Sequence, residues 1–273
     1  MYLEKETQTS QPFLKWAGGK RWLIEKYPHL FKTEYKRLIE PFVGSGAVFF
    51  FLSPARAILN DSNTDLINTY ISIKEDWKSV LKNLQKHQRN HSKEYYYTIR
   101  DREYVSRSAM AAKFIYLNRT CWNGLYRVNA KGSFNVPIGT RSSVILGNDD
   151  FEKVSNTLRK AKLFSNDFSK VIKDAKYGDF IFADPPYTVK HNNNGFIKYN
   201  ESLFSWEDQL RLKEDLQSAV KRGAKALITN AFHPSIKELY KGFGEQIKII
   251  RPSRIAANAS ARGYYEEVAI KCY

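Results

Sequence analysis

Short apolar runs alternate along the chain with segments whose apolar residues recur every three to four positions. The runs predict strands and the recurring segments predict helices. Strands are predicted within the stretches 37–46, 55–61, 161–167, 179–187, 224–230, 246–251 and 266–273, and helices at 47–52, 65–73, 204–220 and 236–243. The helix at 204–220 carries a capping pattern in Ser205 and Asp208. This alternation predicts an α/β fold, a Rossmann-like and mostly parallel sheet with helices on both faces.

Two stretches interrupt this alternation. Residues 77–113 are polar and favour helices, with few glycines and prolines. Residues 117–139 contain Asn-Gly and Lys-Gly dipeptides between aromatic and β-branched residues, and they predict a β-hairpin. We therefore expect an inserted, mostly helical domain with a β-hairpin at 71–150, between the two parts of an α/β domain formed by 1–70 and 151–273.

The chain is strongly basic. Of its 273 residues, 44 are lysine or arginine and 28 are aspartate or glutamate, so the net charge is +16 and the pI is near 9.6. Hydrophobic residues make up 42%, which is enough for a packed core. The positive charge favours a polyanionic partner, either nucleic acid or an acidic membrane face. The alternative is a basic surface that serves only solubility.

Composition argues against several classes of protein. Two cysteines, Cys121 and Cys272, cannot form a disulfide framework or a four-ligand zinc site, and the five histidines show no ligand spacing. The polar residues 1–11 show no signal peptide and predict a mobile tail, and no apolar run reaches the roughly 18 residues of a membrane span. We expect a soluble, cytoplasmic protein without a metal ion.

The strongest chemical signal is the sequence DPPY at 184–187, which ends an apolar strand. Ligands of open α/β sheets bind at the carboxyl ends of strands, and two prolines turn the chain out of the sheet. The Asp184 carboxylate and the Pro185 carbonyl offer two acceptors to the hydrogens of a planar exocyclic amine, which favours a nucleophilic nitrogen. Tyr187 offers a stacking face to a base. The alternative is a turn with an exposed aspartate and no function.

A second signal is the glycine-rich turn EPFVGSG at 40–46. Its glycines permit positive φ and the close approach of a ligand. Asp61, at the end of the next predicted strand, can accept hydrogen bonds from two ribose hydroxyls. Phe49 stands where a dinucleotide motif has its third glycine. The pattern favours a ribose-bearing cofactor without a pyrophosphate, and a tight turn without a ligand is the alternative.

Two further segments combine aromatic, basic and amide side chains. FLKWAGGKR at 13–21 fails the phosphate-loop pattern. It predicts either a basic surface turn or a lid in which Lys20 meets a carboxylate and Trp16 packs on a cofactor. NRTCWNGLYRVN at 118–129 carries side-chain types that read guanine, adenine and thymine in DNA. The alternative for this segment is a hairpin tip whose aromatic residues form a local core.

In this order, the segments FLKWAGGK, EPFVGSG, ND, NGLYRVN…GSFNVP and DPPY resemble the DNA adenine N6-methyltransferases of the Dam type, the α group of the D12 class. The resemblance extends from about Phe13 to the final strand, including IAANASARGYYEEVAI. It implies a methyltransferase sheet that binds S-adenosylmethionine as the methyl donor. It implies double-stranded DNA as the partner, with GATC as the expected site, and the insertion as a target-recognition domain. A monomer suffices for this reaction, and a dimer is compatible with it.

The resemblance also implies roles for individual residues. Those at the donor are Trp16, Lys20, Phe42, Gly44, Gly46, Asp61, Asp167, Phe168 and Asp184. Those that hold the target adenine are Asp184, Pro185 and Tyr187. Those near the DNA are Lys15, Trp122, Asn123, Leu125, Arg127 and Pro137. Arg119 is added as a DNA contact from the side-chain types of the segment 118–129. Trp122 departs from the family, whose members usually carry tyrosine or phenylalanine there.

These inferences converge on methyl transfer from S-adenosylmethionine to N6 of an adenine that leaves the DNA stack. Three alternatives stay open at this point. The first is an RNA adenine or cytosine-N4 methyltransferase, and the second is a DNA-binding relative without catalysis. The third is an oxidoreductase on a nucleotide-binding fold, against which Phe49 counts.

Overall fold

The computed structural model describes residues 10–124, 126–129, 132–189, 204–252 and 264–273. Their contacts divide the chain into two compact units. Of the described residues, the helical unit holds those up to 20, 44–54 and 63–165, and the sheet unit holds 21–43, 55–62 and those from 166 onward. The division of the chain into a catalytic and a recognition domain at 71–150 stays a prediction.

The seven strands predicted outside the insertion are confirmed. The strands are β1 (Arg37–Glu40), β2 (Ala57–Asn60), β3 (Ala161–Phe164), β4 (Asp179–Ala183), β5 (Lys225–Ala231), β6 (Glu245–Pro252) and β7 (Tyr264–Cys272). Those of the sheet unit follow the order β2-β1-β4-β5-β7-β6. β2, β1, β4 and β5 pair in parallel, whereas β7 pairs antiparallel with both β5 and β6. The prediction of a mostly parallel sheet is therefore confirmed for β2, β1, β4 and β5.

Helices separate most of the strands, as predicted. They are α1 (Arg21–Lys26), α2 (Ala47–Leu52), α3 (Thr64–Asn90), α4 (Lys93–Asp101), α5 (Arg107–Thr120), α6 (Phe151–Leu158), α7 (Phe168–Lys173), α8 (Trp206–Lys221) and α9 (Pro234–Leu239). The predicted cap of α8 is confirmed, because the Ser205 side chain accepts from the Asp208 N–H while the Asp208 side chain accepts from the Ser205 N–H.

The core of the sheet unit lies on both faces of β4. Ile181 and Ala183 belong to a buried apolar cluster with residues of α7, α8 and α9. Phe180 and Phe182 alternate with them and therefore face the other way. There the ring of Phe182 lies 5.8 Å from that of Phe31, in a short 3-10 helix. Residues buried on both faces explain the unbroken apolar run of this strand.

The helical unit is built around α3 and α5, which pack along each other. The helical conformation of α3 breaks at Asp76, where φ is −147°. The Asp76 carboxylate accepts a hydrogen bond from the Ser79 N–H at 3.1 Å, so it caps the second part of the helix.

Two predictions about this unit need correction. Residues 117–120 are not hairpin strand but the last turn of α5. In the described residues after it, two antiparallel bridges, Cys121–Ile138 and Val128–Phe134, keep the hairpin-like pairing in reduced form. The turn dipeptides begin only at residue 123, so nothing earlier in the segment stops the helix. The predicted tail is also too long, because Ser10 is buried and its hydroxyl lies 2.7 Å from that of Thr157.

Candidate active site

Three sequence-predicted residues lie at one edge of the sheet unit. Asp61 directly follows β2, Phe42 lies two residues after β1, and Asp184 directly follows β4. These strands are parallel neighbours, so their carboxyl ends share that edge. The chain runs from β1 to β2 on one side of β1 and later enters β4 on its other side. Ligands of open α/β sheets bind at such a reversal of strand order.

The Asp184 carboxylate is oriented by β5. Its Oδ1 accepts a hydrogen bond of 2.7 Å from the hydroxyl of Thr229, which is fully buried. Asp184 itself is partly exposed, and Pro185 after it is buried. Because a carboxylate has about four lone-pair positions, Asp184 can accept a hydrogen bond from an amine while it keeps its hydrogen bond from Thr229.

The Tyr187 hydroxyl is oriented by β7. It donates a hydrogen bond of 2.7 Å to Oε2 of Glu267, a side chain that is only 5% exposed. Burial, together with the nearby carboxylates of Asp184 and Glu267, raises the pKa of Tyr187 well above its ordinary value. The phenol therefore stays neutral and remains a donor at physiological pH. Sequence reasoning missed Glu267, and the available signal was an acid followed directly by the apolar run Val268–Ile270.

Asn60 is a second residue that sequence reasoning missed. It ends β2, is 1% exposed, and its Nδ2 donates to the carbonyls of Pro41 and Asn166, each at 3.0 Å. Its Oδ1 accepts from the Asn166 N–H at 3.1 Å. One amide thus joins the segments that lead to Phe42 and Asp167, directly before Asp61.

The predicted Phe42, Asp167 and Phe168 come together in the sheet unit. Both oxygens of Asp167 bind the Arg211 guanidinium, at 3.0 and 2.9 Å. Burial opposes ionisation of Asp167, but the hydrogen bonds from Arg211 and Ser169 outweigh it and lower the pKa of this carboxyl. Arg211 also lies over the Phe168 ring, 4.4 Å from its centroid, and that ring lies 5.4 Å from the ring of Phe42.

In the helical unit, Trp16 is held by an aromatic stack. Its ring centroid lies 5.6 Å from that of Tyr126 and 6.4 Å from that of Phe114, with interplanar angles of 20° and 24°. The indole edge covers Gly44, where an added Cβ would stand 2.7 Å from Trp16 Cδ1. The predicted positive φ is confirmed at Gly44 (47°) and at Gly46 (66°), which precedes α2.

The two lysines beside Trp16 differ in environment. Lys20 is buried and its ammonium donates to the Gly18 carbonyl at 2.9 Å. Its contact with a carboxylate stays a prediction. The backbone of Lys15 is bound at both its N–H and its carbonyl by the Asn118 side chain, at 2.9 and 2.7 Å. Burial, and then the charge of Arg141, lower the pKa of Lys15 to about 8.

Four of the residues predicted to contact DNA are exposed in the helical unit, namely Trp122, Asn123, Arg127 and Pro137. The Trp122 residue keeps 54% of its surface exposed, and its backbone N–H donates to the Pro137 carbonyl at 2.9 Å. Asn123 has a φ of 56°, so the chain turns there. Leu125 lies outside the described residues.

Arg119 is wrong as a predicted DNA contact. Its side chain is 1% exposed, and its guanidinium binds the Asp149 carboxylate at 2.7 Å and the carbonyls of Phe13 and Val144 at 2.8 and 2.7 Å. An arginine enclosed in this way stabilises the helical unit and does not reach a ligand. The hairpin prediction placed it on the surface, whereas α5 carries it into the core.

The described residues offer neither a membrane span nor a metal site. None of the described helices is long and apolar enough to cross a bilayer. Within the same part of the chain, no three histidine, cysteine, aspartate or glutamate side chains are grouped so that they could hold a metal ion.

Comparisons with known proteins agree with one another. Residues 16–256 match the model of the D12 class N6 adenine-specific DNA methyltransferases. The chain is 37% identical to the Type II methyltransferase M1.LlaDCHI of Lactococcus lactis subsp. cremoris, over 99% of this chain and 98% of the relative. It is 33% identical to a DNA adenine methylase of Vibrio cholerae (94% of each chain) and 31% identical to that of Escherichia coli K12 (95% and 94%).

Proposed function

Because the chain belongs to the D12 class of N6 adenine-specific DNA methyltransferases, we propose that it methylates adenine N6 within GATC, using S-adenosylmethionine and a base turned out of the duplex. The observation that carries this proposal is the Asp184 carboxylate. It is held by Thr229 at the carboxyl end of β4, beside the reversal of strand order.

Asp184, Pro185 and Tyr187 would act on the adenine. The amine of adenine is a poor nucleophile because its lone pair is delocalised into the ring. The Asp184 carboxylate and the Pro185 carbonyl would accept hydrogen bonds from its two N–H groups and favour a tetrahedral nitrogen with an available lone pair. One of these protons is lost once the methyl group is bound to nitrogen. The carboxylate also stabilises the positive charge that develops on this nitrogen. The Tyr187 ring would stack on the base.

The residues proposed to hold the donor have side chains and backbone suited to it. S-adenosylmethionine, when bound, supplies a methyl group to a nitrogen nucleophile. Gly44 and Gly46 adopt the positive φ that the turn proposed to lie along the donor requires, and Asp61 would accept hydrogen bonds from the ribose hydroxyls. The other residues proposed to hold the donor are Trp16, Lys20, Phe42, Asp167, Phe168 and Asp184. Asp167 would do so as the ion pair with Arg211.

We propose that residues 71–150 recognise the DNA target. The exposed Trp122, Asn123, Arg127 and Pro137 support this, whereas Arg119 has a structural role. Lys15, outside this range, is proposed as a further DNA contact. Leu125 keeps the role that the resemblance implies. The net charge of +16 supports binding to the phosphate backbone and predicts that the affinity falls as salt rises. A single copy bound to the duplex suffices.

Labelled S-adenosylmethionine and unmethylated plasmid DNA test this function directly. We expect label in N6-methyladenine and altered cutting by GATC enzymes of opposite methyl sensitivity. Sequencing that detects N6-methyladenine then maps every modified site. Label with unchanged GATC cutting would keep the chemistry and reject the site. Label in structured RNA but not in duplex DNA would reject the substrate.

A further inference from the structure

Glu267 is a buried carboxylate for which the proposed methyl transfer has no direct use. It lies on β7, between Ala231 of β5 and Ile249 of β6 in the register of the sheet, and is 5% exposed. A buried carboxylate is costly unless it is paired and hydrogen-bonded. The Nη1 of Arg251 lies 4.0 Å from Glu267 Oε1. The shorter contact is the one to Tyr187, at 2.7 Å.

This contact commits the hydrogen of the Tyr187 hydroxyl. A phenol has one hydrogen to donate, and here Glu267 accepts it. Tyr187 can then offer a ligand its ring, but not that hydrogen. Because hydrogen bonds to ionised acceptors are stronger than neutral ones, the bond also limits how far the ring can swing.

A parallel arrangement holds the other end of the same motif. Thr229 on β5 donates its hydroxyl hydrogen to Asp184. Asp184 and Tyr187 are thus secured by two buried residues from adjacent antiparallel strands. Neither residue lies near the motif in sequence.

We propose that Glu267 and Thr229 are positioning residues that clamp the two ends of the Asp184–Tyr187 motif, Glu267 acting through the Tyr187 hydroxyl. The proposal rests on the function proposed above, since the clamp fixes the acceptors and the ring that would meet the adenine. It assigns Tyr187 a role through its ring and its position, with the hydroxyl serving as the anchor.

A double-mutant cycle tests the route through Tyr187. Single-turnover methylation of duplex DNA containing the mapped site is measured for Glu267→Ala, Tyr187→Phe and the double variant. We expect about 10- to 100-fold lower rates for Glu267→Ala, the loss typical of a hydrogen bond to a charged group. In the Tyr187→Phe background the same change should have less than a twofold effect. If the double variant shows the product of the two single rate losses, the two residues act independently and the proposal is overturned.

Two controls separate positioning from folding. Glu266→Ala removes the neighbouring acid, which pairs on the surface with Lys248, and should change the rate less than twofold.

For the other half of the clamp, Thr229→Ser keeps the hydroxyl and Thr229→Val removes it at similar volume. We expect the Thr229→Ser variant to retain methylation activity and the Thr229→Val variant to lose it, while the two variants have similar melting temperatures. Equal rates for Ser and Val would overturn the role of Thr229.

A readout without donor or DNA distinguishes failure of the clamp from failure of the proposed function. The protein is labelled with 3-fluorotyrosine, and the ¹⁹F resonance of Tyr187 is identified by its loss in Tyr187→Phe. We expect this resonance to shift in Glu267→Ala but not in Glu266→Ala. An unmoved resonance rejects the clamp. A moved resonance in a protein that does not methylate duplex DNA upholds the contact and rejects the proposed function.

Discussion

The motif at 184–187 and the segment at 121–139 are built in contrasting ways. At the motif, Asp184 and Tyr187 are each held by a buried side chain from a distant strand. Within the described residues of the segment, the pairing consists of isolated bridges, and Trp122 and Arg127 are exposed. Amine activation needs acceptors fixed to within a fraction of an ångström, whereas side chains that contact DNA must be accessible to it. The held motif and the exposed side chains each match their proposed task.

The largest expected effect is at the motif. Asp184→Ala removes a hydrogen-bond acceptor and the charge that stabilises the methylated nitrogen, so methyl transfer should fall by about 10³-fold or more. Radiolabel transfer to duplex DNA measures it, and circular dichroism checks the fold. A variant with more than a tenth of the normal rate would show that the acceptor is elsewhere.

A large loss of stability is expected in the helical unit at Arg119, the residue wrongly assigned to the DNA surface. Arg119→Ala leaves the Asp149 carboxylate buried without its cation, which costs about 3–5 kcal/mol in comparable buried pairs. Urea unfolding measures this loss. The exposed Arg127→Ala is the matched control and should stay within about 0.5 kcal/mol of the wild type. Equal stabilities would restore Arg119 as a candidate contact.

A smaller loss is expected at Gly44. Alanine there must adopt a φ of 47° and its Cβ would stand 2.7 Å from Trp16, so unfolding should become easier by about 1–3 kcal/mol. Trp16 must also shift, which tryptophan fluorescence would report. Gly147→Ala is the control, because its added Cβ meets nothing within 4 Å.

A pH effect on DNA affinity is expected from Lys15. Its pKa of about 8 means that its positive charge is lost as pH rises through 8, well before an ordinary lysine loses its charge. If Lys15 binds DNA, the affinity should fall by up to about tenfold per pH unit above 8. Fluorescence anisotropy from pH 7 to 10 measures it. Lys15→Arg should remove the dependence, and an unchanged dependence in that variant would exclude Lys15 as its source.

The smallest expected effect is at Arg127. If its guanidinium contacts one phosphate, Arg127→Ala should reduce the slope of log affinity against log salt by about 1. The control is Arg56→Ala, at the amino end of β2 and so away from the carboxyl edge of the sheet. A change of similar size in both variants would mean that only net charge matters.

The sequence predicted the parts of this molecule that depend on local pattern. The strands, the positive φ at Gly44 and the position of Asp184 after β4 all follow from short segments. Glu267 and Thr229 could not be found in this way, because their contacts depend on how β7 and β5 pair. The prediction that Arg119 contacts DNA was wrong because it relied on local pattern alone. The neighbours of Arg119 match a DNA-reading surface, and only the continuation of α5 through residue 120 buries it.

The contacts of the first described residues bear on how the protein is made. Ser10 pairs with Thr157, 147 residues later, and the Phe13 carbonyl binds Arg119. Translation at 5–20 residues per second therefore separates the emergence of Ser10 from that of its partner by about 7–30 seconds. Trp16 likewise cannot stack on Tyr126 until that residue has been synthesised. The segment from Ser10 to Trp16 is therefore synthesised well before its partners and is among the last parts of the helical unit to pack.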